Sequence, residues 1–107
     1  MPEEVSESME TVTRKLVTIV AEAVVERRLV EDVRACGARG YSLGHVRGEG
    51  GTGNHSLDVN GPSVRLETVV TDEVAAAILE RLAADYFDRF AVVAWVTEAE
   101  VARPSKF

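Results

Sequence analysis

Two segments of this chain, Leu16-Val-Thr-Ile-Val20 and Ala91-Val-Val-Ala-Trp-Val96, are apolar at nearly every position. Both have the length and β-branched bias of strands, and a strand shows alternate residues to opposite faces, so each run places apolar side chains on both sides of its sheet. An antiparallel sheet with one wet face would alternate apolar and polar residues instead. A monomer of 107 residues buries only about two-thirds of the surface its unfolded chain exposes and has little core to spare, and a bare apolar face would be a patch too large for a soluble monomer. The uncovered face is therefore expected to lie between subunits, and the chain to be an obligate oligomer.

The remaining elements follow from periodicity and punctuation. Met1 to Glu10 is polar and acidic and reads as a disordered tail, so the folded domain is expected over 11–107. Thr13 to Val20 reads as the first strand. Glu22 to Cys36 reads as a helix that buries Val25, Leu29, Val33 and Cys36 and ends at Gly37. Gly40 to Arg47 is a second strand, followed by a glycine-rich loop over 48–62. Val64 to Val70 is the third strand. Asp72 is the expected N-cap of a second helix reaching about Tyr86 and burying Val74, Ala75, Ile78, Leu79 and Leu82. Ala91 to Val101 closes the chain as the fourth strand. The order βαββαβ predicts an α+β, ferredoxin-like fold: a four-stranded antiparallel sheet with both helices on one face.

Charge and composition narrow the function. The formal net charge is −6, whereas affinity for a nucleic-acid backbone comes from clustered Lys and Arg, so no nucleic-acid partner is expected. An RNA-recognition module of similar topology also needs aromatic residues on its middle strands, and the first and third strands have none. Cys36 is the sole cysteine, which points to a reducing compartment. No apolar run is long enough to span a bilayer and the acidic N-terminus is unlike a signal peptide, so a cytoplasmic location is expected.

The chemistry concentrates between Gly37 and Gly50. Arg47, Gly48 and Gly50 put a guanidinium beside backbone N–H groups that no side chain shields, an arrangement suited to an anion. Gly48-Glu-Gly-Gly-Thr-Gly53 fits G-x-G-x-x-G, but no helix opens at its last glycine, so a dinucleotide fold is not expected. No Gly-Lys-Ser/Thr follows to make a P-loop. His45, His55 and Asp58 lack metal-ligand spacing, and no metal is expected. Cys36 reads as core filler, and Glu98 and Glu100 as a solvated face or a subunit contact. No catalytic constellation stands out, so the chain is not expected to be an enzyme.

With these segments in view, the chain resembles the PII-like signalling proteins over Val12 to Arg103. Gly37-Ala-Arg-Gly-Tyr-Ser, then Arg47-Gly-Glu-Gly50, is similar to the family's second strand and the base of its T-loop. Val64-Arg-Leu-Glu-Thr-Val-Val70 followed by Thr71-Asp72 is similar to its third strand and second helix. The resemblance implies a homotrimer that holds an adenine nucleotide in each cleft between subunits and grips or releases a partner through the T-loop. The nitrogen-regulatory members carry Gly-Asp-Gly-Lys before the last strand; here the positions read Phe87-Asp-Arg-Phe90, and no tyrosine lies in 48–62 for uridylylation. The branch implied is the one encoded beside bicarbonate transporters and carboxysome genes, of the SbtB type, which senses AMP, ADP or cyclic AMP and, in some members, bicarbonate. One group within that branch ends in a cysteine-bearing C-terminal loop, to which Arg103-Pro-Ser-Lys-Phe107 has no counterpart, so the redox switch of that group is not expected.

On this resemblance Ser42, Glu67 and Val69 would meet the adenine, and Arg47, Gly48 and Gly50 the phosphates. Arg103 would approach from a neighbouring subunit, and Arg89 would replace the missing lysine. The partner would be a bicarbonate transporter or a carboxysome-related protein, recruiting the chain to the membrane. The residues themselves leave alternatives: Glu67 pairs with Arg65 or Arg81, and Arg103 is a solvated strand end. An amino-acid-binding regulatory domain of the ACT-like type and a small ferredoxin-fold enzyme are the rival functional readings.

Overall fold

The structure, a computed structural model, describes residues 10–48 and 61–103. Strand β1 spans Thr11–Glu22, a single 3-10 turn spans Ala23–Val25, and helix α1 spans Glu26–Ala35. Strand β2 is Ser42–Gly48, β3 is Gly61–Val70, helix α2 is Asp72–Asp85, and β4 is Val92–Ala102. The strands form one sheet in the order β2-β3-β1-β4, with every pairing antiparallel. This is the expected ferredoxin-like arrangement.

One face of the sheet is the core. Val17, Ile19 and Ala21 of β1, with Val64 and Leu66 of β3, pack with Leu29 and Val33 of α1 and Ala75, Ile78 and Leu82 of α2. All ten residues are at most 5% exposed. Alternation sends Leu16, Thr18 and Val20 of β1 to the other face, beside Arg65, Glu67 and Val69 of β3 and Val93 and Trp95 of β4. No helix among the described residues covers this second face. Val93 and Trp95 remain 46% and 42% exposed there, the uncovered apolar surface expected from the sequence.

Several boundaries differ from expectation, each for a local reason. Glu22 closes β1 instead of opening the helix, because its N–H donates to the Ala91 carbonyl and its carboxylate accepts from the Ala91 N–H at 2.6 Å. Helix α1 therefore starts one turn later. It stops where expected, with Gly37 at φ 119°, a conformation that disfavours any side chain. A Cβ at Gly37 would also meet Val74 at 3.0 Å.

Gly40 does not begin β2, because its carbonyl accepts the Thr68 hydroxyl at 2.5 Å. The N-cap of α2 is Thr71, not Asp72: the Thr71 hydroxyl accepts from the Val74 N–H at 3.3 Å while Thr71 keeps an extended backbone. Asp72 and Glu73 instead occupy the first turn, where carboxylates complement the helix dipole. Leu79, expected in the core, is 37% exposed, since the Ala75, Ile78, Leu82 stripe already faces the sheet. The two ends of the expected 48–62 loop are strand, with Gly48 paired to Gly61 and Arg47 to Pro62; the rest of that loop, and residues 1–9 of the expected tail, lie outside the described residues.

The two helices are joined by a polar clasp. Asp32 of α1 accepts the Tyr86 hydroxyl at 2.6 Å and Arg81 of α2 at 2.8 Å. Arg28 lies 4.8 Å over the Tyr86 ring. Burial, then the hydrogen bond to Asp32, push the Tyr86 hydroxyl well above the usual phenol range.

Candidate functional site

Three of the expected site residues, Ser42, Glu67 and Val69, lie on the uncovered face. Antiparallel register lines up Ser42, Glu67, Thr18 and Trp95 in one row across all four strands. Beside the β2 end of this row opens a cleft of about 360 Å³. Leu16 and Val69 supply its apolar wall, and Ser42, Glu67 and Thr68 its polar groups, while Gly40 and Tyr41 close it from the loop that follows α1. The Thr68 to Gly40 hydrogen bond anchors that loop to the sheet. Arg34 of α1 lies 5.6 Å over the Tyr41 ring and braces the rim. A smaller hollow of about 250 Å³ adjoins across Val69 and is lined by Gly37, Arg39, Thr71 and Val74 among others.

Glu67 is the one ionisable side chain other than the Tyr41 phenol lining the main cleft. Its Oε2 accepts from the Thr18 hydroxyl at 3.0 Å and from Arg65 at 3.3 Å. Arg65 in turn lies 5.7 Å over the Trp95 ring. Of the two alternatives open in the sequence, Arg65 is therefore the partner of Glu67. Arg81 is engaged elsewhere, with Asp32 and, at 3.7 Å, with Asp85.

Ser42, Glu67 and Val69, the residues the resemblance assigns to the adenine, thus line one cleft. The expected phosphate-side residues do not join them within a chain. Arg47 and Gly48 lie at the far end of β2, five or more residues from Ser42, roughly 16 Å along the strand. Arg103 follows Ala102, which pairs with Thr11, five residues beyond Leu16 in the opposite direction. Arg47 and Arg103 are therefore about 40 Å apart along one sheet. Arg103 sits at φ 58°, a strained conformation for a non-glycine residue that redirects the chain off the end of β4. Arg89 lies in the turn after α2, its N–H bonded to the Tyr86 carbonyl, near the Glu22 end of β1. Gly50 lies outside the described residues.

The structure also brings forward residues that sequence reasoning passed over. Thr18 is 1% exposed on a face that no described helix covers, and its period-2 relation to Leu16 was the signal that could have found it. Arg14 is on the same face, two residues from Leu16, and its Nε is buried with no partner among the described residues. His45 contacts Glu26 at 2.9 Å, and no group of metal-binding residues exists among the described residues; His55 and Asp58 lie outside them. Cys36 is half-buried against the core. Glu98 pairs with Lys15 at 3.4 Å and Glu100 accepts from Thr11 at 3.1 Å, so both belong to β1–β4 pairing.

Comparison with known proteins gives a consistent result. Residues 14–106 match the family model described as nitrogen regulatory protein P-II. Comparison with curated protein sequences returns no match. Among solved structures, a PII-like signalling protein from Thermus thermophilus is 49% identical, with TM-score 0.79, covering 92% of this chain and 99% of that one. CPII from Thiomonas intermedia, bound to ADP and bicarbonate, is 22% identical with TM-score 0.78, covering 94% and 99%. GlnK of B. subtilis in complex with ATP is 17% identical with TM-score 0.63, covering 81% and 82%. At those identities the last two establish likeness of fold.

Proposed function

Because this chain belongs to the nitrogen regulatory protein P-II family, a family of signalling proteins, we propose that it is a homotrimeric sensor of adenine nucleotides. AMP, ADP or cyclic AMP occupies the cleft of Ser42, Glu67 and Val69, with the base between Leu16 and Val69. The observation that carries this reading is the division of the site. One chain supplies a base-sized cleft with a carboxylate, while the expected phosphate-binding arginines stand roughly 16 Å and more away at the sheet's two ends. A complete adenylate site then needs a neighbour's arginine, and the uncovered face bearing Val93 and Trp95 gives the neighbour its seat.

The chemistry fits each part. A carboxylate accepts from the adenine amino group, where guanine presents a carbonyl. Arg103 of the neighbouring subunit and Arg47 with Gly48 at the base of the T-loop meet phosphate, as does Arg89 in the place of the family's lysine. The 48–62 segment carries the signal to a partner, for which a bicarbonate transporter or a carboxysome-related protein is the reading. CPII, with this fold, has been solved with ADP, AMP and bicarbonate, which supports testing bicarbonate as a co-ligand. No helix among the described residues is long and apolar enough to cross a membrane, so membrane recruitment would run through that partner. Calorimetry with AMP, ADP, cyclic AMP and their guanine counterparts, with and without bicarbonate, tests the reading. Adenylates should bind at least tenfold more tightly than guanylates, the worth of one correctly paired polar edge at about 1–3 kcal/mol. Equal affinities would contradict it.

A further inference from the structure

Glu67 is held by one oxygen only. Its Oε2 receives both the Thr18 hydroxyl and Arg65, and no donor meets Oε1 among the described residues. Thr18 lies opposite Glu67 in the β1–β3 register and opposite Trp95 in the β1–β4 register. It is almost wholly buried, although no described helix covers the face it belongs to. A buried hydroxyl needs a partner, and Thr18 uses its proton on Glu67. Arg65, pinned over Trp95, approaches the same oxygen from β3 itself.

We infer that Thr18 and Arg65 are positioning residues that turn Glu67 into an acceptor aimed at the cleft, and so set the choice of purine. This deepens the adenylate reading and rests on it. Two donors converging on Oε2 fix the carboxylate's rotation, since both bonds use lone pairs of that one oxygen. The remaining oxygen then faces the ligand with acceptor capacity alone. An exocyclic amine satisfies it, whereas a carbonyl at the same place of the ring sets two acceptors against each other. Without Thr18 the carboxylate turns more freely, and the discrimination it supplies is diluted over several orientations.

The test compares ADP and GDP affinities in wild type, Thr18→Val, Thr18→Ser and Glu67→Gln. Thr18→Val keeps shape and loses the hydroxyl; it is expected to reduce the ADP-over-GDP preference about tenfold, while Thr18→Ser restores most of it. In Glu67→Gln the same two donors hold the amide carbonyl and direct its NH₂ into the cleft, so preference should shift toward GDP. A merely structural role for Thr18 would lower both affinities together and leave the ratio unchanged, which would overturn the inference. Full wild-type preference in Thr18→Val would overturn it as well. Wild type without any ADP preference would instead remove the adenylate reading itself, and the positioning role with it.

Discussion

Substituting Val93 by Asp should dissolve the assembly and, with it, nucleotide binding. Val93 is on the uncovered face opposite Val20, one row away from Glu67, and does not line the cleft. It is 46% exposed in the single chain; with full burial of a valine worth roughly 2 kcal/mol, covering that fraction contributes about 1 kcal/mol per subunit. Replacing it with a carboxylate also forces an unpaired charge into the interface, which costs several kcal/mol more. Repeated in three subunits, the penalty comes to more than about 10 kcal/mol, enough to separate subunits at micromolar concentration. The fold of each chain should persist, because the core lies on the opposite face. Light scattering, circular dichroism and ADP calorimetry on one sample provide the assay. A variant that stays assembled, or a folded monomer that binds ADP as wild type does, would refute both the interface and the shared site.

Arg47→Ala and Arg103→Ala should each weaken adenylate binding by about 1.5–3 kcal/mol in calorimetry, the worth of a charge-assisted phosphate contact, with the ligand-free melting temperature nearly unchanged. Tyr86→Phe breaks the clasp to Asp32 and should cost about 1–3 kcal/mol in urea unfolding at pH 7. The same variant carries a pH signature. Because the folded hydroxyl keeps its proton above the usual phenol range, the unfolded chain loses that proton first, so wild-type stability should fall as pH rises past about 10 and Tyr86→Phe should flatten that decline. Thr71→Ala removes the N-cap of α2 and should lower stability by about 1 kcal/mol.

The fold was legible because its signals are local and agree with one another. Gly37 stops α1, alternation along β3 separates Leu66 from Glu67, and the largely apolar runs in β1 and β4 mark a second apolar face. What escaped the sequence was set by contacts between distant elements. Glu22 sits in β1 because Ala91, sixty-nine residues on, takes both its backbone and its carboxylate. Asp32 joins two helices through Tyr86 and Arg81, which no period along α1 could reveal. In the site, Ser42, Glu67 and Val69 were readable from their resemblance to a known pattern, and the register puts them in one cleft. Thr18 was not, since a threonine inside an apolar strand resembles a tolerated polar residue until Glu67 is placed against it.

If each adenylate site is shared between two chains, subunit complementation will restore binding that neither variant shows alone. Glu67→Ala and Arg103→Ala chains, each too weak to bind ADP at a concentration that saturates wild type, are unfolded, mixed in equal amounts and refolded together. In a ring of head-to-tail interfaces, random mixing joins an intact Glu67 to a neighbour's intact Arg103 in about one quarter of the clefts. Titration of the mixture should therefore recover about one quarter of the wild-type number of high-affinity ADP sites. Recovery of none, with mixed trimers demonstrated by mass spectrometry, would mean that both residues serve the same chain's cleft and would rule out the shared site.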